Sequence, residues 1–242
     1  MSWKIFGEPV RRLEDPTLLR GEARFIDDIR LPNSLQASFV RSPYPHAKIG
    51  NINASAALAA DGVHRVLTFE DFAPILINPD LVVGLPSPAY RQDRNRPVLA
   101  SSETAYVGEP IAVILADTRY IAEDAAALLE VDYEPLPAVA DCRLALEEGA
   151  EPAHSDAEHN LCAEFDISYG DVNAAFAQAS HTFRDEFKMH RGGGHALECR
   201  GCVGSYDDVL DQVTLWSSTQ MPHSLRTTFI DMTGWDENAF VL

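Results

Sequence analysis

Six consecutive apolar residues, Ile111 to Ala116 (IAVILA), constrain the fold of this chain more than any other feature. A half-exposed strand alternates polar and apolar residues, whereas an unbroken apolar run of this length suits a strand covered on both faces. Its surroundings agree. Asp117 or Thr118 can cap a helix over Arg119–Glu130, in which Ile121, Ala125, Leu128 and Leu129 share one face. The following VDYEPLPAV reads as an extended strand whose prolines place it at a sheet edge.

Upstream, Asp15-Pro16 starts a helical turn that Gly21 ends, and Ser34–Arg41 alternates as a half-buried strand. A proline-punctuated loop leads through a short strand to an alanine-rich helix, Ala54–Ala60. Asp61-Gly62 stops that helix before a strand over Val63–Phe69. Residues 74–97 carry five prolines and little periodicity, which predicts a long surface excursion. A boundary falls near Asp141, where residues 141–161 read as one short capped helix and a polar linker. Beyond it, strands are expected at Glu164–Tyr169 and His181–His190, with a helix capped by Gly170-Asp171 between them. Cys199–Tyr206 and Gln212–Ser218 form a hairpin around DDVLD. Pro222 opens a helix lined by Leu225, Phe229 and Met232, Gly234 ends it, and a further strand begins at Ala239–Leu242. The reading is α+β throughout: residues 1–140 as one domain with an N-terminal arm, and 141–242 as a linker and an incomplete second domain.

Thirty-seven acidic against nineteen basic residues give a formal charge of −18. A nucleic-acid partner is thereby disfavoured, because backbone binding needs clustered Lys and Arg to displace counterions. The reading includes no membrane span: no run approaches the ~20 apolar residues such a span requires. The opening MSWKIFGEPVRRLEDP resembles neither a secretory signal nor a twin-arginine leader. Four scattered cysteines suit a reducing compartment, and the cytoplasm is the expected location.

Few residues invite chemistry. His190, His195, Cys199 and Cys202 suggest zinc by type, but Cys199 and Cys202 on one strand would point to opposite faces. A direct metal ligand is therefore not expected. Gly192–Gly194 has no helix after it to supply a phosphate loop, so a bend or a close backbone approach is the expected role. Glu198 is a carboxylate on a mostly apolar strand. It can orient a ligand or a neighbouring loop, or pair with Arg200 or Arg191. Gln220 sits where the strand VTLWSST meets the helix opened by Pro222, in the run Ser217–His223 (SSTQMPH). There its neutral amide offers donors and an acceptor beside the positive end of a helix dipole. This suits a metal-oxo oxygen or a phosphorylated cofactor, and satisfying local backbone groups is the competing role.

Four stretches occur in order: RLEDPTLLRGEARFIDDIRLPNSLQASFVRSPYPHAKI, RPVLASSETAYVGEPIAVILADTRYIAEDAAALLEVDYEPLPAV, GDVNAAFAQASHTFRDEF and LWSSTQMPHSLR. Together they resemble the N-terminal part of the molybdenum-binding large subunit of the xanthine dehydrogenase / aldehyde oxidase / aerobic carbon monoxide dehydrogenase family. The resemblance implies an α/β hammerhead domain to about residue 138. From about residue 145 it implies the first segment of a molybdopterin-binding domain. Gln220 matches the family glutamine that lies beside the molybdenum and bonds one of its oxygen ligands. Glu198 is then expected near the substrate, although HALECRG departs from the more usual methionine-glutamate-proline form.

The family's Gly-Gly-Gly-Phe-Gly loop, its C-terminal general-base glutamate and the carbon monoxide enzyme's cysteine loop have no counterpart in these residues. The expectation is therefore one wall of a molybdenum–molybdopterin site (mono- or dinucleotide form), shared with a partner chain that carries the remainder and inactive without it. Family chemistry would be oxidative hydroxylation of an aldehyde or N-heterocycle carbon. Two [2Fe-2S] centres and FAD are expected on other subunits. The alternative is a non-catalytic truncated remnant or assembly module of the same fold, and a free-standing small-molecule-binding domain is a third reading.

Overall fold

The computed structural model describes residues 7, 9–81, 87–92, 94–190 and 192–242. The leader reading of residues 1–16, the middle of the 74–97 excursion and the Arg191 pairing lie wholly or partly outside the described residues. Strands are β1 (Gln36–Arg41), β2 (Ala47–Asn53), β3 (Val63–Thr68), β4 (Asp80–Leu81), β5 (Arg96–Pro97), β6 (Glu103–Thr104), β7 (Pro110–Ala116), β8 (Glu130–Pro135), β9 (Cys202–Asp207), β10 (Gln212–Ser217) and β11 (Phe240–Val241). Helices are α1 (Asp15–Leu19), α2 (Ser55–Leu58), α3 (Phe69–Phe72), α4 (Arg119–Ala127), α5 (Val172–Gln178) and α6 (Pro222–Thr233). The chain divides into two compact units. One holds Leu35–Gly194 with Asp231–Gly234; the other holds Met1–Ser34, His195–Ile230 and Trp235–Leu242.

The larger unit is built on the apolar run. β7 is the middle strand of an antiparallel sheet of order β1-β7-β3. Ile111, Ala112, Ile114 and Ala116 are fully buried, as covering both faces requires. Thr118 caps α4 by accepting the Ile121 N–H at 3.2 Å. Ala122 and Ala125 form the buried stripe of α4, while Leu128, expected on that face, is 44% exposed. The helix thus turns its alanines inward. The tight turn before β3 uses Gly62 at φ +82, where an added Cβ would stand 2.9 Å from Ile121 Cδ1. A second antiparallel sheet, β6-β2-β8, leaves β8 at its edge, as its prolines predicted.

Two expected strands do not form. Residues 164–169 and 181–190 carry no strand, and Phe183, Phe187 and Met189 are each close to 90% exposed. Alternation specifies the face that a strand would bury. The strand itself needs a ladder partner, and among the described residues only the single bridge Tyr90–Ala163 forms nearby. The helix between them does form as α5, with Asp171 accepting the Ala174 N–H at 2.9 Å.

The smaller unit contains the sheet β11-β10-β9. β10 is antiparallel to β9 and parallel to β11, so the chain crosses over through α6. Phe229 stacks on Phe240 at 4.3 Å between ring centroids and meets Trp235 edge-on at 5.6 Å. Phe240 is buried to 2% exposure. Aromatic burial of this kind anchors the crossover.

Candidate cofactor-site wall

The site lies in the smaller unit, where β10 gives way to α6. The last ladder pair joins Ser217 to Cys202. Beyond it, the Ser218 N–H donates to Gly201 O at 3.1 Å, and Ser218 Oγ accepts the Gly201 N–H at 2.9 Å. The same hydroxyl donates toward Cys199 O at 3.1 Å or Gly201 O at 3.3 Å. Thr219 Oγ1 accepts the Met221 N–H at 3.1 Å, bridging across Gln220. Gln220 is therefore presented at the tip of a short turn. It is exposed, and its amide bonds no other described residue.

A cleft of about 430 Å³ adjoins the turn, lined by the arm residues Arg24–Ile26 and Ile29, by Glu198, by Leu215–Thr219 and by Pro222 and Leu242. Glu198 Oε1 accepts the Ile26 N–H at 2.8 Å. Of the roles open to this carboxylate, the structure thus includes orientation of a neighbouring loop. No ion pair from Glu198 to Arg200 forms among the described residues. A second cleft of about 450 Å³ shares Phe25, Ile26 and Glu198 with the first and continues along Leu197–Gly201. The structure brings Glu198 into both clefts. It places Gln220 beside the first, between the lining residues Thr219 and Pro222, without joining the two side chains.

Sequence reasoning overlooked the arm contact, because Ile26 and Glu198 are 172 residues apart and no local pattern links them. It also overlooked Ser218, whose signal was a hydroxyl directly beyond the last strand residue. Two expectations are corrected. β9 begins at Cys202 and Cys199 precedes it, so the two cysteines do not share a strand. Of the two roles expected of Gly192–Gly194, a close approach on the Cβ side does not occur at Gly193 or Gly194, where nothing stands within 4 Å. Among the described residues, no group of three His, Cys, Asp or Glu side chains is placed to hold a metal ion.

The wall suits a large, oxygen-rich group. Its donors at the strand–helix junction are neutral, namely the Gln220 amide, hydroxyls and the first-turn N–H groups that a helix leaves unpaired, while Arg24 adds a charged donor to the cleft. Such donors hold oxo and phosphate oxygens without themselves titrating.

A hammerhead-type α+β unit followed by a strand–turn–helix wall defines the class, and comparison with known proteins specifies it. Residues 20–137 match the aldehyde oxidase and xanthine dehydrogenase a/b hammerhead domain, and residues 153–242 match the molybdopterin cofactor-binding domain. The chain is 34% identical to the nicotine 6-hydroxylase large subunit of Paenarthrobacter nicotinovorans, over 97% of this chain and 28% of that one. It is 33% identical to the carbon monoxide dehydrogenase large chain of Afipia carboxidovorans, over 94% of this chain and 29% of that one. Quinoline 2-oxidoreductase from Pseudomonas putida 86 superposes with a TM-score of 0.88 at 34% identity, covering 99% of this chain and 30% of the other. The chain belongs to the xanthine dehydrogenase / aldehyde oxidase / carbon monoxide dehydrogenase family and corresponds to the N-terminal part of its molybdenum-binding large subunit. It spans about 28% to 30% of the length of these relatives. Among the described residues, no helix is long and apolar enough to cross a membrane.

Proposed function

We propose that this chain supplies one wall of a molybdenum–molybdopterin site in an oxidoreductase, and that residues outside these 242 complete the site. The observation that carries the proposal is the exposed Gln220 amide, unpartnered among the described residues and set between Thr219 and Pro222, both of which line a cleft. Gln220 binds the cofactor by donating a neutral hydrogen bond to one of its oxygens. Glu198 faces the substrate side: it lines both clefts while its Oε1 holds the arm. The domain division follows the sequence: 1–140 as hammerhead with its arm, 141–242 as linker and molybdopterin segment.

When bound, molybdenum cofactors supply two-electron oxidation of a carbon centre with oxygen from water. This chain's part is positional: the Ser218–Met221 turn presents the amide, and the apolar arm side chains line one side of the cleft and limit its water. The substrate class proposed is an aldehyde or N-heterocycle carbon, and relatives named for nicotine and quinoline support the heterocycle. Activity requires the rest of the large subunit, an iron–sulfur subunit carrying [2Fe-2S] centres and an FAD subunit. Four exposed, unpaired cysteines support a cytoplasmic location. The test is to isolate the chain with whatever binds it natively and to assay molybdenum and pterin. Both are expected together, and a stable native assembly lacking both contradicts the proposal.

A further inference from the structure

We propose that Ser218 is a positioning residue for Gln220, held in turn by the N-terminal arm through Glu198; the inference rests on the cofactor reading of Gln220. Where a strand ladder ends, the next residues lose the hydrogen bonds that fix their height above the sheet. Here the ladder ends at Ser217–Cys202, and Gln220 lies only three residues further on. One backbone bond persists beyond the ladder, from the Ser218 N–H to Gly201 O at 3.1 Å, and the Ser218 hydroxyl reinforces it by accepting the Gly201 N–H at 2.9 Å and donating to a carbonyl of the same segment. An anchor of this kind is only as firm as the segment it grips, and residues 198–201 are themselves irregular.

The arm fixes that segment from its other side. Ile26 donates its N–H to Glu198 Oε1 at 2.8 Å. Its side chain packs against Gly201 so closely that an added Cβ would stand 3.0 Å from Ile26 Cγ2. Gly201 is thus gripped between Ile26 and Ser218, and a side chain there would have to push the Ile26 methyl aside. On the far side of Gln220, the Thr219–Met221 bond closes the turn. The amide is then set by a chain of contacts from the arm to Gly201 to Ser218, with no direct contact from the arm to Gln220 required.

A double-mutant cycle in the complete, cofactor-loaded enzyme tests this, with molybdenum retained after exhaustive dialysis as the readout. Ser218→Ala is expected to lower retention about five- to tenfold, the loss of one part-buried hydrogen-bond anchor. In a Gln220→Ala background the same change is expected to cost less than about twofold, because Ser218 acts through Gln220. Ser218→Thr, which keeps the hydroxyl, is expected to recover most of the retention. Amide hydrogen exchange supplies a readout independent of the metal: the Gly201 N–H is protected in the wild type and exchanges about tenfold faster in Ser218→Ala. Equal losses in both backgrounds, or an unprotected Gly201 amide in the wild type, overturn the inference. If Ser218→Ala does not accumulate, wild-type Gly201 exchange decides alone. Wild-type enzyme without molybdenum overturns the cofactor reading as well, whereas molybdenum-replete wild type with additive variants overturns only this inference.

Discussion

Glu103 ties the segment after the hammerhead sheets back onto them, and removing it has a calculable effect. Its carboxylate accepts the Ser155 N–H at 3.0 Å and lies 3.6 Å from Nε2 of the buried His46 and 3.8 Å from Nδ1 of His154. His46 Nδ1–H donates to Pro137 O at 2.8 Å, so its other nitrogen faces the carboxylate with no other partner. Burial pushes the Glu103 carboxyl up, but the Ser155 hydrogen bonds and the His46 charge outweigh it and leave the group below its ordinary value. Burial, then Arg94, holds His154 below its own. A hydrogen bond to a charged group contributes about 1.5–3 kcal/mol. Ser155 is exposed and can turn to water, which places Glu103→Ala at the lower end, about 1.5 kcal/mol. That is about a tenfold change in the local opening equilibrium.

The assay is amide hydrogen exchange over residues 144–161. Glu103→Ala should exchange about tenfold faster there, and Glu103→Gln, which keeps an acceptor but no charge, about threefold faster. The pH dependence has a defined sign. A carboxyl depressed on folding stabilises above its unfolded value, near pH 4.5, and loses that contribution as pH falls through the folded value. The depressed His154 also makes the unfolded form bind protons first, beginning near pH 6.5. Wild-type protection should therefore decline on acidification, first below about pH 6.5 through His154 and then below about pH 4.5 through Glu103. Exchange over 144–161 that is equal in Glu103→Ala and wild type would refute the reasoning.

Ile114 is fully buried among Ala57, Ala125, Val40, Val63 and Val66, so Ile114→Ala should lower stability by about 2–5 kcal/mol in urea unfolding. Gly62→Ala combines a positive φ of +82 with a contact 2.9 Å from Ile121 Cδ1, and about 2–3 kcal/mol should be lost in the same assay. Removing the α4 cap by Thr118→Ala should cost about 1 kcal/mol, read as faster exchange of the Ile121 amide.

Elements whose evidence is local were legible in the sequence. IAVILA marked its own double burial, Thr118 and Asp171 marked their helices, and Pro222 and Gly234 bracketed α6. Residues 164–169 and 181–190 misled because period-two alternation says nothing about whether a ladder partner is at hand. The site was legible only as Gln220 at a strand–helix junction and Glu198 as an unusual carboxylate. Its frame was hidden, because Ile26 meets Glu198 across 172 residues and Gly201 meets Ser218 across 17. Type and spacing also cannot reveal that Gly201 sits against the Ile26 side chain rather than in a turn.

The central claim is that the Ser218–Met221 turn holds a molybdenum cofactor through Gln220. Its most direct test is the electron paramagnetic resonance of the Mo(V) state in the complete, native assembly, compared between wild type and Gln220→Ala at matched molybdenum content. A wild-type Mo(V) signal that shifts its g-values in Gln220→Ala is predicted, since the amide donor beside the metal is gone. Superimposable spectra at full molybdenum loading would contradict the account.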